Sequence, residues 1–596
     1  MNKKSNIRQV CLFCFKEGRE IMKLILKYLF KYKKLLIINI LAVFLVASAE
    51  LGIPFIVANI IDKGIAKQDM NIIYTFLGFL VMVAILGAIG NVVLNYCSSR
   101  TSSYILRDLR NELFSKIQTF SPAEMQEFGV SSIISRTSTD VFQILNFVST
   151  FYRSAILAPI MLILSIILIV IRAPQLSIGL FIVVPIIIII LIFVVKITDK
   201  LSERQQKQLD KLNLVTRENL TGVRVIRAFR KSKYEEQRFL DVNNDYTNTS
   251  IKLFRIMVSI EPVFYFLLNS SILILMFFGA KYIQIEKISL GQLVEFLDYQ
   301  FHVMFSILTF ALLFMMFPRT MVSARRIMQV LEKEPKIKNP DHPIKDQRPF
   351  EEITFNNVSF QYPDASEAIL KDISFTAKKG EVIALVGSTG SGKSTIINLI
   401  PRLYDATSGS VQINGEDITK YDLKLLRSKI GFIAQKALLF KGTIESNLRF
   451  GDDKATENDF LEAAKIAQAL EFINQKPNKL KEPVSELGTN LSGGQKQRLS
   501  IARAIVKKPD IYVFDDSFSA LDYQTDLELR KALEESIKES IVFIVAQRLS
   551  SITQADKIIV MHQGEVVDIG KHDELLKRSQ IYKEIAISQN LMEVEV

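Results

Sequence analysis

Six apolar runs occupy the first half of the chain, at 35–60, 72–97, 155–171, 176–195, 257–282 and 293–317. Each approaches the ~20 residues that a helix needs to cross the hydrocarbon core of a bilayer. In lipid a helix satisfies every backbone N–H and C=O within its own segment, so each run is expected to be a membrane helix. Of the 596 residues 49% are hydrophobic and 23% charged, which excludes a largely disordered chain. That length also implies more than one domain.

The connections between the runs are uneven. After the third comes only Arg172-Ala173-Pro174-Gln175, barely a turn. The gaps after the second and fourth runs are roughly 55 residues each, enough for helical arms of ~40 Å beyond the membrane. Cations set the orientation. Lys23, Lys27, Lys31, Lys33 and Lys34 precede the first run, and Arg204, Lys207, Lys211, Arg217, Arg224, Arg227, Arg230, Lys231 and Lys233 crowd the second long gap. The positive-inside rule places the N-terminus and both long gaps in the cytoplasm, and six crossings return the second half there. The formal net charge of +12 is then a property of cytoplasmic loops, and nucleic acid is not expected as a partner.

Lys23, Lys27 and Lys31 fall four apart, opposite Ile25, Leu29 and Tyr32, which suits a helix lying among lipid headgroups. No small-residue cleavage site follows a short apolar core, so no cleavable leader is expected, and Met22 is an alternative start. Cys11 and Cys14 form a C-x-x-C without a second pair, a weak zinc signal, and three cysteines make no disulfide framework. The expected organisation is a tail and interfacial helix at 1–34, a six-helix membrane domain at 35–325, a linker at 326–349 and a soluble α/β domain at 350–590. Pro335, Pro340 and Pro343 punctuate the linker.

The soluble half carries the chemistry. An apolar strand-like run at 382–386 leads into Gly387-Ser388-Thr389-Gly390-Ser391-Gly392-Lys393-Ser394, and a helix-like segment begins at Thr395. This is the phosphate loop in its strand–loop–helix setting. Its glycines let backbone N–H groups close around phosphates, Lys393 reaches the β- and γ-phosphates, and Ser394 takes Mg²⁺. A second apolar run ends in Asp515-Asp516, and a carboxylate at such a strand end holds Mg²⁺ through water. Between them, Leu491-Ser492-Gly493-Gly494-Gln495 opens another helix at small residues, a second anion-binding start.

The pentapeptide, the phosphate loop and Asp515 together resemble the nucleotide-binding domain of ABC transporters. Six runs followed by that domain resemble a half-transporter of the exporter type, with ATP and Mg²⁺ as cofactors and the cell membrane as location. The resemblance implies a head-to-tail pair of domains in which the pentapeptide of one chain caps ATP on the other. It implies that Tyr362 stacks on adenine and that Gln435 senses Mg²⁺. It assigns Ser519-Ala520-Leu521-Asp522 to the dimer interface and Glu486 to a loop touching coupling helices. Those helices are expected near 121–128 and 220–229.

Two positions depart from the family pattern. The general base, a Glu after the Mg²⁺ aspartate, is Asp516 here, and the switch His is Gln547. Asp is one methylene shorter, and a displacement of ~1 Å can cost about 10²-fold in rate. Gln547 can donate to the γ-phosphate but cannot become a cation. The altered groups belong to this chain's own pocket, while the pentapeptide serving the opposite pocket is intact. That sorting resembles the degenerate-site subunit of a heterodimeric exporter, whose partner supplies the Glu and the His. The expected cargo is hydrophobic or amphipathic, of multidrug type. Lipid or peptide export remains open, as does a regulatory subunit gating a catalytic partner. Glu50, Glu261, Glu295, Asp298 and His302 sit within the runs and are candidates for cargo contact or for interhelical bonding.

Overall fold

The computed structural model describes residues 27–28, 30–172, 174–363 and 365–589. The chain divides into two compact units. The first comprises residues up to Gln118 together with Ser131–Lys333, and the second comprises Thr119–Val130 and the chain from Glu334 onward. Cys11, Cys14, Met22 and Lys23 lie outside the described residues.

The first unit is built from long helices: α1 (Lys33–Ile65), α2 (Met70–Ile117), α4 (Val130–Arg172), α5 (Pro174–Ala228), α6 (Ser232–Gln284) and α7 (Leu290–Glu332). The helix α3 (Pro122–Phe128) falls between α2 and α4 in sequence and belongs to the second unit. Among the described residues, five helices are long and apolar enough to cross a membrane: α1, α2, α4, α5 and α6. The sixth apolar run lies in α7.

The charged gaps are continuations of these helices. At 55 residues α5 spans about 80 Å, well beyond a bilayer core. Small residues let α1 and α2 close. A Cβ on Gly87 would sit 2.7 Å from the Cβ of Ala49, and one on Gly90 would sit 2.9 Å from Val46 Cγ2. Such contact supplies the dispersion energy that holds helices together in lipid. The Asp62 carboxylate accepts from the Gly291 amide at 2.9 Å and from the Ser289 hydroxyl, tying the start of α7 to α1.

Lys27 and Lys31 face protein. Lys31 Nζ lies 2.5 Å from Asp108 on α2, and Lys27 lies 3.4 Å from Glu112. Two of the three lysines expected among headgroups are thus paired with carboxylates. Helix α7 also runs past residue 325 into the expected linker, because Ala324, Ile327 and Val330 are fully buried and no breaker intervenes before Pro335.

The second unit has two main sheets and a short two-stranded pairing of Gly442–Thr443 with Pro483–Val484. Strands β1 (Glu352–Phe360), β2 (Leu370–Lys378) and β4 (Ser408–Ile413) form an antiparallel layer with β1 central. The six-stranded sheet contains β3 (Val382–Gly387), β5 (Ile430–Ile433), β6 (Ile511–Asp515), β7 (Ile541–Val545), β8 (Lys557–His562) and β9 (Glu565–Gly570), in the order β9-β8-β3-β7-β6-β5. Its inner strands β3, β7 and β6 are parallel neighbours, so their C-terminal ends align along one edge. Ligands in such sheets collect outside that edge.

Within this unit Glu124 of α3 is fully buried. Its carboxylate accepts from the Ser121 amide at 2.7 Å, the Ser121 hydroxyl at 2.5 Å and the Lys336 amide at 3.1 Å. Burial pushes this carboxyl up, but the Ser121 and Lys336 donors outweigh it and hold it below the usual value. The stabilisation is therefore present above the unfolded carboxylate pKa and is lost as pH falls through the folded one. Glu124→Ala strands the Lys336 and Ser121 amides and is expected to cost on the order of 2–3 kcal/mol. Thermal melting of the purified chain checks this; an unchanged midpoint would contradict it.

Candidate nucleotide site

A cleft of about 780 Å³ opens at the aligned strand ends. Strand β3 delivers the phosphate loop to it, and α8 (Lys393–Leu399) leaves from it. Gly392 has φ +97°, and a Cβ there would lie 2.5 Å from Leu370 Cδ2, so neither conformation nor space admits a side chain. At Gly387, with φ +152°, a Cβ would strike the Met561 carbonyl at 2.2 Å. Lys393 Nζ folds back over the loop, donating to the carbonyls of Gly387 (2.9 Å) and Ser388 (2.7 Å) and to Ser391 Oγ (3.3 Å). Burial pushes its ammonium down while Asp515 and Asp516 pull the other way. A polyphosphate supplies the negative charge that such a lysine lacks.

Strand β6 brings Asp515 to the same place. Ser394 Oγ donates to Asp515 Oδ1 at 3.1 Å. Burial raises the Asp515 carboxyl, with the Ser394 bond opposing, Asp516 adding and Lys393 opposing. A hydroxyl, a carboxylate and the Gln435 amide oxygen are the hard oxygen donors that Mg²⁺ selects. Among the described residues no group of three or more His, Cys, Asp or Glu could form a cage, so an ion here would complete its shell with phosphate oxygens and water.

Asp516 is the centre of the site. It is buried, and its φ of +47° places it in the left-handed region, which Asp tolerates better than most residues. Its amide donates to the Val545 carbonyl at 3.0 Å, locking the turn to β7. Its Oδ2 accepts from two side-chain amides, Gln547 Nε2 at 2.7 Å and Gln435 Nε2 at 3.2 Å. A short carboxylate is thus held between two neutral donors.

The cleft gathers Gly387, Ser388, Thr389, Gly390, Gly392, Lys393, Ser394, Thr395, Gln435, Asp515, Asp516 and Gln547. Ser391 is buried behind Lys393. Tyr362 does not line the cleft; its hydroxyl lies 3.3 Å from Thr395 Oγ1, and its ring stands edge-on to Tyr404 at 5.3 Å. One wall was not anticipated. Helix α11 (Gln580–Ser588) turns Ile581, Glu584, Ile585 and Ser588 toward the cleft. Its 3–4 residue spacing is visible in sequence, but nothing local ties it to a loop nearly two hundred residues earlier.

The pentapeptide lies outside this cleft. Ser492 caps α9 (Gly493–Val506) with Gln495 in a reciprocal box: Ser492 Oγ accepts from the Gln495 amide, and Gln495 Oε1 from the Ser492 amide. A Cβ on Gly493 would meet nothing within 4 Å, whereas one on Gly494 would lie 3.4 Å from the Ala520 carbonyl and 3.6 Å from Leu521. Ala520 and Leu521 thus pack beside the pentapeptide, and Asp522 caps α10 (Tyr523–Ser536) through the Thr525 amide at 2.9 Å. Ser519 Oγ returns to the Asp516 carbonyl at 3.0 Å, joining this loop to the cleft. Glu486 is exposed.

Comparison with known proteins bears on both units. The family profile described as the ABC transporter transmembrane region matches residues 36–333, and the one described as ABC transporter matches 370–519. An uncharacterized ABC transporter ATP-binding protein of Mycobacterium tuberculosis is 36% identical over 96% of this chain and 98% of its own length. The chain belongs to the ABC transporter family. The putative multidrug export ATP-binding/permease protein YgaD of Bacillus subtilis is 31% identical to this ABC protein over 96% of the chain and 100% of its own length. A solved structure of a bacterial Atm1-family ABC exporter with ATP bound matches the fold with a TM-score of 0.81 at 23% identity, covering 95% of this chain and 99% of that one. The fold is therefore that of an ABC exporter half-transporter, a helical transmembrane domain followed by an α/β ATPase domain. It is a multi-pass membrane protein with its ATP-binding domain in the cytoplasm.

Proposed function

We propose that this chain is one half of a heterodimeric ABC exporter of hydrophobic or amphipathic compounds. Its own cleft binds Mg²⁺–ATP and hydrolyses it slowly. Its pentapeptide, Leu491 to Gln495, completes the hydrolysing site of a partner that carries the Glu base and the switch His. The observation that carries the reading is the Asp516 network. Asp516 Oδ2 is engaged by Gln435 and Gln547, neither of which can take up a proton at neutral pH. A base must reach the attacking water and accept its proton, and here the carboxylate is short and its Oδ2 already accepts two hydrogen bonds. Binding needs only the phosphate loop, Lys393 and Asp515, all of which are in place. The test is composition: recovered from native membranes with a gentle affinity tag, the complex is expected to contain a second ABC polypeptide in equal amount. Two copies of this chain alone would contradict the reading.

The export reading draws support from the printed name of YgaD and from the acidic and imidazole groups within the helices. Glu295 is set apart from cargo contact. It is buried and paired with Arg172 Nη2 at 3.3 Å, joining the end of α4 to α7. Buried polar bonds tie α7 to two further helices: Tyr299 donates to the Leu51 carbonyl of α1 at 3.0 Å and Gln300 to Ser271 Oγ of α6 at 2.7 Å. Glu50 and His302 are half-buried, while Asp298 and Glu261 are exposed in this chain. Glu295→Gln is expected to lower the melting midpoint and to reduce transport of cationic and neutral cargo alike. A loss confined to cationic cargo would return Glu295 to the pathway.

A further inference from the structure

The C-terminal helix α11 does more than wall the cleft. Just beyond it, Gln589 spans the loop that carries Gln547. Its Nε2 donates to the Gln547 carbonyl at 2.7 Å, and its Oε1 accepts from the Leu549 amide at 2.8 Å. One side-chain amide thus holds the loop on both sides of Arg548. The loop in turn holds Gln547 Nε2 against Asp516. The helix is itself anchored. Tyr582 is fully buried, its hydroxyl lies 2.7 Å from His572 Nδ1, and Ala586 packs beside it in the core formed with Leu549 and Ile552.

Loops at strand ends have few packing partners of their own and open more readily than the sheet beneath them. After β7 the chain makes one turn, Leu549–Ser551, before reaching β8. A bidentate amide on this stretch fixes the backbone from which Gln547 projects. A 1 Å shift there would break the 2.7 Å bond to Asp516 and open the side of the cleft lined by Asp516 and Gln547.

The geometry points to Gln589 as a positioning residue. Through the Gln547 loop it keeps Asp516 and Gln547 closed over the nucleotide, so the C-terminal helix sets how long this site retains ATP. This rests on the reading that the site retains its nucleotide, and the test separates the two claims.

Two variants distinguish the bonds. Gln589→Met keeps length and removes both. Gln589→Glu keeps an acceptor for Leu549 and loses the donor to Gln547. In the intact complex in nanodiscs, residue-resolved hydrogen exchange at the Leu549 amide is expected to rise on the order of tenfold in the Met variant and little in the Glu variant, with the Ala586 amide protected in both as a check on folding. Release of labelled ATP from this chain's site is expected to quicken by a similar factor in both variants, since both lose the Gln547 bond. An unchanged Leu549 amide in the Met variant would overturn the clasp whatever the site does with ATP. An exposed Leu549 amide with unchanged ATP release would leave the bond but overturn its role. Brisk hydrolysis at this site in the unaltered complex would count against the slow-site reading instead, without touching the exchange result.

Discussion

Asp516→Glu combined with Gln547→His is expected to raise ATP turnover at this chain's own cleft by about 10²-fold. The extra methylene advances the carboxylate by ~1.5 Å, one carbon–carbon bond. The imidazole replaces a neutral amide with a group that can carry positive charge as the γ-phosphate departs. The changes belong together because the two side chains touch at 2.7 Å, and residues in direct contact seldom act additively. Either alone leaves one mismatched partner: Glu with no cation beside it, or His beside a carboxylate that stops short. ATP affinity is expected to change little, because Lys393, Ser394 and Asp515 are untouched. The check is single-turnover hydrolysis with the partner's base replaced by Gln, so that only this cleft reports. Turnover unchanged in the double variant would remove Asp516 and Gln547 as the cause of slow hydrolysis.

The second large effect acts at a distance from that cleft. Gly493→Asp is expected to leave this chain folded and able to bind ATP, yet to lower turnover of the complex by 10²-fold or more. Within the chain there is open space where the new Cβ would stand, with no heavy atom within 4 Å. The cost inside the chain is thus small. What changes is the face presented outward, where the first amides of α9 make an anion site. A carboxylate there repels phosphate and opposes the backbone amides; removing one positioned donor at an oxyanion hole is worth roughly 10²–10³ in rate, and an opposing charge is expected to act on at least that scale. Gly494 makes a poorer probe, because a side chain there would press on Ala520 and Leu521 of the same chain. Turnover of the complex unaffected by Gly493→Asp would mean that this pentapeptide caps no working site.

What the sequence made legible was local. The phosphate loop requires a strand before it and a helix after it, and both lie where the apolar run and the small residues place them. Asp515 and Asp516 terminate a buried strand for the same reason. The expected strand at 382–386 and the observed Val382–Gly387 differ by one residue, because β3 stays hydrogen-bonded to β8 as far as Gly387. Relations across the chain were not legible. Nothing near Glu295 announces Arg172, which comes from another helix 123 residues earlier. Nothing near Lys27 and Lys31 announces Glu112 and Asp108; a lysine face reads alike whether it meets lipid phosphate or carboxylate. The same holds for Glu124, whose partner is a backbone amide 212 residues away, and for Gln589. In each case a polar side chain is placed by tertiary packing, and periodicity carries no information about it.

Asp516 shows the boundary between the two kinds of knowledge. Its identity, and the shortfall of one methylene, could be read from a single position. That Oδ2 is taken by Gln435 and Gln547 at once could not, because the three residues come from three strand ends. Beyond the missing methylene, the structure adds that Oδ2 already accepts two hydrogen bonds, which supports the proposed slow chemistry.

The most direct measurement is the fate of nucleotide in each half of the native complex. The complex is loaded with photoreactive ATP labelled at the α-phosphate, allowed one turnover and crosslinked, and the nucleotide on each chain is identified as triphosphate or diphosphate. This chain is expected to hold triphosphate while its partner holds diphosphate. Diphosphate appearing on this chain as fast as on its partner would contradict the account.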